Sequence, residues 1–136
     1  MKLLMTYSTK ISYTPKVKNL EWAEDKDAYE EYHDILVAFI HVEEKDMEDI
    51  KAAETRLVKN LKWGARKNET KKILLHSFAH LSESKASPEF TKELLDRVET
   101  RLKNAGYEAY QSPFGYFLDL SIDMPGRSLA RVFKSL

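Results

Sequence analysis

The feature that most constrains this chain is a near-continuous apolar run, rich in β-branched residues, from Ile35 to Val42. A strand that is covered on both faces has this pattern, because neither of its faces has to meet water. The run is far too short to cross a bilayer as a helix. It therefore predicts the central strand of a buried sheet, with His41 as a core or edge histidine whose hydrogen bonds are satisfied.

Strands and helices alternate around this run. Hydrophobic periodicity and turn residues predict two extended pieces at 2–8 and 10–14 and a polar loop or short helix over 19–34. The alternation predicts one α/β domain over residues 1–136, a mixed β-sheet with flanking helices. The remaining predicted strands lie at 72–77, 107–111 and 116–123.

Capping residues and glycines predict where the helices begin and end. Asp46 is expected to cap a helix that runs to about Trp63, with Gly64 as its stop. Ser87 followed by Pro88 is a strong start for a second helix. A closing helix is predicted from apolar residues at helical spacing, namely Leu129, Val132, Phe133 and Leu136.

Composition excludes several classes of function. The chain has 22 basic and 22 acidic residues. This balance disfavours non-specific electrostatic binding to nucleic acid and a polybasic membrane anchor. Without cysteine there is no disulfide or thiolate chemistry. His76 and His80 are four residues apart, but no acidic residue separates them, so no metal site is predicted. We expect a cytoplasmic protein that needs no cofactor and does not contact a membrane.

The zero net charge conceals two oppositely charged parts of the chain. Residues 1–54 carry a net charge of −6 and residues 55–136 one of +6. The simplest interpretation is a set of solvated helix faces. The alternative is a contact surface for a phosphate backbone or an acidic partner. Its candidate residues are Lys62, Arg66, Lys67, Arg127 and Arg131.

Two short segments have the composition of a binding site. The first, 77–82, follows a strand end, where α/β proteins place binding groups, although most histidines in such places are structural. In the second, 112–117, proline and glycine bracket Phe114. A glycine there permits positive φ or the close approach of a ligand, and aromatic side chains sandwich nucleobases. The alternative is a tight hairpin turn with aromatic residues in the core.

Together these segments resemble the archaeal threonyl-tRNA synthetase editing domain. The match rests on Phe78-Ala79-His80-Leu81-Ser82 and on Pro113-Phe114-Gly115-Tyr116, some 35 residues later. It extends from Met1 to about Arg131. The resemblance implies a D-aminoacyl-tRNA deacylase-like fold. It also implies a task, the hydrolysis of serine wrongly attached to tRNA(Thr) by water attack on the aminoacyl ester.

The resemblance further implies roles for individual residues. His80 would orient or hydrogen-bond the substrate without necessarily acting as the base. The implied contacts are Phe39 and Val42 at the adenosine, Phe78, Ala79 and His80 at the aminoacyl group, Gly115 at the substrate, and Tyr116 and Phe117 beside the scissile ester. The implied partners are the 3′-aminoacylated end of tRNA(Thr), the rest of a threonyl-tRNA synthetase in cis or in trans, and a second copy in a homodimer.

The chain departs from the resembled family at several polar positions. Leu118 stands where the family has a lysine, Arg131 where it has a glutamate and Tyr7 where it has a histidine. A catalytically degenerate fold that binds a tRNA end, a partner synthetase or a second copy is therefore an alternative function. A third is a free-standing deacylase for another mischarged or D-aminoacyl-tRNA.

Overall fold

In the computed structural model, which describes residues 1–136, six strands form one mixed sheet and two helices cover one of its faces. The strands are β1 (Lys2–Lys18), β2 (Glu30–His41), β3 (Lys72–Ser77), β4 (Glu108–Gln111), β5 (Tyr116–Asp123) and β6 (Arg131–Ser135). The helices are α1 (Ile50–Lys67) and α2 (Pro88–Asn104). The predicted α/β class, with a mixed sheet and flanking helices, is confirmed.

The order of the strands is β4-β3-β2-β1-β5, and β6 pairs with the first residues of β1 on the edge that β5 also uses. Strands β2, β3 and β4 are parallel, joined by α1 and α2, whereas β1 is antiparallel to its neighbours. The carboxyl ends of three parallel strands therefore meet at one end of the sheet. That is the end where open α/β sheets bind ligands.

Two hydrophobic clusters bury the two faces of the sheet. The larger has 20 buried residues and joins both helices to one face. The smaller, on the other face, is built around Ile11, Tyr13, Ile35, Val37, Phe39 and Leu74. No helix covers this second cluster. Side chains of β5, including Leu118 and Ile122, pack against it instead, so the sheet curls over itself.

An irregularity in the central hairpin changes which side chains face the helices. Pairing of β1 with β2 is interrupted opposite Asp34, whose φ is 52°. Asp tolerates this left-handed conformation better than most residues. Before the break, Leu3 and Met5 face the helices; after it, Ile11 and Tyr13 belong to the second cluster. The long strand β1 therefore contributes to both clusters.

The structure corrects the predictions for the first 34 residues. The two extended pieces are one strand, β1, and residues 30–34 belong to β2 instead of a loop. Polar side chains hid this part of β2. Tyr13 and Tyr32 both donate their hydroxyl protons to Glu30, at 3.2 and 2.7 Å, so the hairpin carries its polar groups in satisfied pairs.

Helix α1 also differs from its prediction at both ends. Asp49, not Asp46, is the cap and accepts the Ala52 N–H, while Asp46 is buried in a short 3₁₀ turn. Gly64 lies inside the helix. A Cβ there would come within 2.7 Å of Met5 Sδ, so this glycine lets the helix approach the sheet closely.

The predicted closing helix is wrong. After a 3₁₀ turn at Ser128–Ala130, the chain forms β6, with Met5 opposite Val132 and Lys2 opposite Ser135. Val132 and Leu136 pack against the larger cluster while Phe133 is exposed. A spacing of four residues suits a strand as well as a helix. The open edge of β1 then decides, because it supplies hydrogen bonds that a two-turn helix lacks.

Strands β3 and β5 have the predicted bounds, and the start of α2 is confirmed. The Ser87 hydroxyl accepts the Phe90 N–H, and Pro88 is the first helical residue. No helix combines the length and the apolar character that crossing a bilayer requires.

An ion-paired carboxylate joins the two helices. Glu54 is largely buried in α1 and accepts hydrogen bonds from Arg97 at 2.5 Å and Arg101 at 3.0 Å on α2. Burial by itself would raise the pKa of Glu54, but the two guanidinium groups lower it below its ordinary value of 4.5.

We expect Glu54→Gln to reduce the free energy of unfolding by about 1–2 kcal/mol near neutral pH, because charge-assisted bonds are lost. Since the folded pKa is lowered, this contribution is complete above the ordinary value of 4.5 and fades as the pH falls towards the folded pKa. Urea denaturation near pH 7 and about pH 3 measures it. Glu93→Gln, at an exposed contact 4.0 Å from Arg97, is the control. An equal deficit for Glu54→Gln at both pH values would contradict this account.

Candidate functional site

A cavity of about 430 Å³ opens where the parallel strands end. Val42 after β2, the segment 76–80 at the end of β3 and the segment 113–120 at the start of β5 form its walls. Most of the lining side chains are apolar or aromatic. The two segments singled out from the sequence, 77–82 and 112–117, therefore meet at one place although about 30 residues separate them.

Seven of the eight predicted catalytic and substrate-binding residues line this cavity. They are Val42, Phe78, Ala79, His80, Gly115, Tyr116 and Phe117. Phe39 is the exception. Its ring is 8% exposed and lies behind the wall, edge-on to Phe78 at 5.1 Å between ring centres. It supports the cavity wall without forming its surface.

His80 lies at the rim. Its ring is exposed and packs edge-on against Phe78, with ring centres 4.9 Å apart. Neither ring nitrogen has a hydrogen-bond partner in the protein. Both are therefore available to a molecule that enters the cavity.

His41 holds the loop that carries His80. Its Nδ1 accepts the Leu81 N–H at 2.9 Å, so the ring proton is on Nε2, which donates to the Ser84 carbonyl at 2.7 Å. The ring is 1% exposed. The prediction of a satisfied core histidine is confirmed. The sequence did not show that its two partners are the backbone of the 78–87 loop.

Glu43 is a second anchor of the same loop, and sequence reasoning missed it. One carboxylate oxygen accepts the Ser82 hydroxyl at 2.7 Å, and the other accepts the Met1 ammonium at 2.5 Å. Burial would raise the pKa of Glu43, but these hydrogen bonds and the nearby Lys2 lower it to about 2. The side chain is therefore ionised at neutral pH and keeps its hydrogen bond to Ser82 of the loop.

Tyr116 and Phe117 differ in what they offer a ligand. The Tyr116 hydroxyl accepts the Lys26 N–H and donates to the Glu24 carbonyl, both at 2.9 Å. Its ring lines the cavity while its polar end holds the loop between β1 and β2. Phe117 is 55% exposed at the cavity mouth.

The connection around Gly115 is not a hairpin. Strands β4 and β5 lie on opposite edges of the sheet, so residues 112–115 cross from one edge to the other. Gly115 has φ of 83°, and a Cβ there would lie 2.8 Å from Ala23 Cβ. Of the two reasons for a glycine, the structure shows positive φ together with the close approach of the protein's own 20–23 segment.

The cavity has little charge. No aspartate or glutamate lines it, and Lys85 is its one lysine or arginine. Ser77 lines it too, but its hydroxyl has no histidine within hydrogen-bond distance, unlike an activated serine nucleophile. No group of three or more potential metal ligands occurs in the chain. The walls suit a flat, largely uncharged group better than a metal-dependent or serine-nucleophile reaction.

A second cavity, of about 500 Å³, lies on the other side of Phe114. Trp22 stacks on Phe114 between the two cavities, with ring centres 5.8 Å apart. The lining of this second cavity is rich in charged side chains. Its lysines form ion pairs with neighbouring acids, such as Lys92 with Asp96 at 2.8 Å. None of the predicted catalytic or substrate-binding residues lines it.

The candidate phosphate-binding residues form two groups, Lys62, Arg66 and Lys67 on α1 and Arg127 and Arg131 near the start of β6, and the two groups adjoin each other away from the first cavity. The Asn68 amide at the end of α1 donates to the Leu129 carbonyl, and Arg127 stacks over Tyr7 at 4.9 Å. They lie near the start of β3, whereas the cavity lies at its end. Six residues of strand separate the two by about 17 Å. None of the candidate phosphate-binding side chains forms an ion pair, namely Lys62, Arg66, Lys67, Arg127 and Arg131.

Comparison with solved structures shows the class of fold. The chain superimposes on the c-Myc DNA unwinding element binding protein with a TM-score of 0.66, covering 100% of this chain and 99% of that one, at 12% identity. The domain therefore has the D-aminoacyl-tRNA deacylase-like fold, as predicted.

Its family follows from the sequence match over the same residues. The chain belongs to the archaea-specific editing domain of threonyl-tRNA synthetase, whose family model matches residues 1–136. Membership places it among deacylase-type editing domains in general.

Curated relatives are longer proteins. Threonine–tRNA ligases of Methanopyrus kandleri, Pyrococcus horikoshii and Thermococcus kodakarensis are 31%, 30% and 29% identical to this chain. Each match covers 100% of this chain and 22% of the ligase. The chain thus spans about a fifth of the length of these relatives.

We expect Gly115→Ala to destabilise the domain by about 2–4 kcal/mol, because it adds a steric clash to the strain of positive φ. Gly106→Ala is the matched control. Gly106 has φ of 89° but nothing within 4 Å of a Cβ, so it carries the strain alone, about 1 kcal/mol. Thermal and urea unfolding of both variants measure the difference, and equal losses would show that the clash contributes nothing.

Proposed function

We propose that this domain proofreads threonyl-tRNA by hydrolysing serine from mischarged Ser-tRNA(Thr). The observation that carries the proposal is the convergence of the two motif segments on one apolar cavity at the carboxyl ends of the strands. A flat nucleoside fits between apolar walls and exposed backbone groups. The rest of a threonyl-tRNA synthetase, in cis or in trans, would hold the remainder of the tRNA.

Proofreading answers a physical need. A synthetic site that binds threonine cannot reject serine strongly, because one missing methyl group changes the binding free energy by only about 1–3 kcal/mol. A second site that hydrolyses the wrong product removes the error. A site that excludes the extra methyl group of threonine by its walls needs no charged recognition group, and this cavity has no acidic one.

The reaction is the addition of water to the aminoacyl ester. The oxygen of water attacks the carbonyl carbon, the bond from that carbon to the ribose oxygen breaks, and the ribose oxygen takes up a proton as free serine leaves. With no carboxylate in the cavity, proton transfer is left to the substrate, to water, to histidine or to Lys85. A ribose hydroxyl of the substrate, as the resemblance implies, would help to activate the water. His80 would orient the ester from the rim.

We expect Ser-tRNA(Thr) to be hydrolysed about 10- to 200-fold faster than Thr-tRNA(Thr), the range that a single methyl group permits. His80→Ala should slow the serine reaction about tenfold by removing one hydrogen bond, and His80→Gln should recover part of it. Release of labelled amino acid from the two tRNAs measures both.

The control for His80 is His33→Ala. His33 is also exposed, but it pairs with Glu31 at 2.6 Å and lies outside the cavity. Decay of both aminoacyl-tRNAs at the rate of buffer alone would refute the proposed function. An unchanged rate in His80→Ala would remove His80 from the mechanism while leaving the function in place.

A second candidate function is a binding module without turnover. Leu118, which stands at the position of the family lysine, lines the cavity and makes that wall apolar. A domain of this kind would bind a tRNA end, a partner synthetase or a second copy of itself. Titration with a non-hydrolysable adenosine analogue separates the two candidates, because binding without hydrolysis supports the second. Restored hydrolysis in Leu118→Lys would show that this one position abolished the activity.

The unpaired cations at the end of α1 are the proposed contact with the tRNA backbone. We expect a shallow salt dependence of tRNA(Thr) binding, and replacing Lys62, Arg66 and Lys67 by glutamine should lower the slope of log K against log salt by about 1 per cation. Fluorescence anisotropy over a salt series measures this slope.

The control replaces two exposed lysines by glutamine, Lys45 in the 3₁₀ turn before α1 and Lys51 in its first turn. These changes should leave the slope unchanged. A steep dependence in the native protein, or a slope that the triple replacement does not alter, would contradict the assignment.

A further inference from the structure

The cavity contains a second histidine, His76, to which neither the sequence motifs nor the proposed function gives a role. It is the fifth residue of β3 and lines the cavity wall. Its ring forms a cluster with two phenylalanines that also contact each other, 5.2 Å from Phe39 and 5.8 Å from Phe78 between ring centres. These neighbours fix the plane of the ring and leave it little contact with bulk water.

One ring nitrogen is held by the protein. His76 Nδ1 lies 2.7 Å from Ser112 Oγ, and Ser112 is 6% exposed. The same hydroxyl also lies 3.4 Å from the Leu75 carbonyl oxygen, which can only accept. A hydroxyl has one proton, so for both bonds to form together it donates to Leu75 and accepts from Nδ1–H. The other nitrogen, Nε2, then carries a lone pair.

Nε2 has no partner in the protein. The one fully buried side-chain polar atom that lacks a hydrogen bond is Asn68 Oδ1, so Nε2 is accessible to a probe the size of water. The ring packs against Phe39 and Phe78 on one side and lines the cavity, which is where a ligand would reach Nε2. Burial lowers the pKa of His76 to about 4, which keeps the ring neutral at physiological pH.

We propose that His76 is a substrate-binding residue whose Nε2 accepts a hydrogen bond from a hydroxyl group of the ligand in the cavity. The inference rests on the proposed function for the identity of that ligand, an aminoacylated adenosine. A hydroxyl is preferred to an ammonium group because no carboxylate lines the cavity to balance a positive charge. The donor is a ribose hydroxyl or the hydroxyl of the serine side chain.

This role differs from general-base catalysis. A base works best when its pKa is near the working pH, and a neutral imidazole with a pKa of about 4 holds a proton too weakly. A fixed, neutral acceptor among aromatic walls instead selects for a donor at one place, since a ligand without that donor leaves Nε2 desolvated and unpaired.

The test measures binding of seryl-3′-aminoadenosine, in which an amide replaces the ester, by calorimetry. We expect His76→Phe, which keeps a ring but removes both nitrogens, to weaken binding about tenfold. His76→Gln, which restores an acceptor, should recover part of the loss. Ser112→Ala is the matched control for Nδ1. It removes the partner that fixes the tautomer but leaves Nε2 in place, so its loss should be smaller.

Two further ligands identify the donor. If the serine hydroxyl is the donor, the alanyl analogue binds the native protein about tenfold more weakly and His76→Phe binds both analogues equally. If the ribose is the donor, the 2′-deoxy analogue shows that pattern instead. Equal binding of all three analogues by the native protein would overturn the proposal.

Nitrogen NMR of the native protein gives a readout that does not depend on any variant folding. The free protein should show a neutral His76 with its proton on Nδ1, and the analogue should shift the Nε2 resonance. A proton on Nε2, or an Nε2 resonance that does not respond to the analogue for any reason, including failure to bind, would overturn the proposal.

The outcomes for the two proposals are separable. Binding through His76 without hydrolysis of Ser-tRNA(Thr) would refute the proofreading function and leave this inference standing. Hydrolysis that is unaffected by His76→Phe would support the proofreading function and overturn this inference.

Discussion

The short connection between β4 and β5 governs this structure. The two strands lie on opposite edges, four strand spacings apart, and the register puts Gln111 level with Met5 but Tyr116 level with Lys18, so in a flat sheet the two ends would lie about 45 Å apart. The five peptide units from Gln111 to Tyr116 reach about 18 Å when fully extended. The turn at Gly115, whose φ is positive, shortens this reach further. The sheet must therefore curl. Its curl buries the second cluster without a covering helix and brings the 113–120 segment beside the end of β3.

The cavity is a product of this closure. One wall, at Gly115 to Leu120, is positioned by the connection itself. The other wall, at 76–80, is positioned by side chains at the end of β2, where His41 and Glu43 bind the loop. Because both walls belong to strands of the sheet or are hydrogen-bonded to them, the site is formed before a ligand arrives. This suits a site that selects by shape and by a few fixed hydrogen bonds.

Local patterns predicted those elements whose own residues determine them. The apolar β3 and the cap and proline that start α2 need no distant partner to be recognised. Residues 30–34 and 131–135 could not be predicted in this way, because they are strands only by virtue of pairing with β1. Asp46 and Gly64 have the chemistry of helix ends, but an ion pair and close packing against Met5 use them differently.

The same distinction holds for the site. Most of its predicted residues converge, because they belong to two short motif segments that can be recognised in the sequence alone. The contacts of Glu43, His76 and Ser112 were missed, since each joins residues that are 36 or more positions apart along the chain. A polar residue directly after an apolar run was the one available signal, and it applies to Glu43 and His76 alike.

The two walls have unequal capacity to change during evolution. A substitution or insertion in the 112–115 connection alters the closure of the sheet, so it disturbs folding and recognition together. The 78–87 loop is joined to β2 by individual hydrogen bonds, and each can be exchanged at a modest cost in stability. Changes in backbone length are therefore easier to accommodate in the loop that carries His80, whereas change on the opposite wall is confined to single side chains such as Leu118.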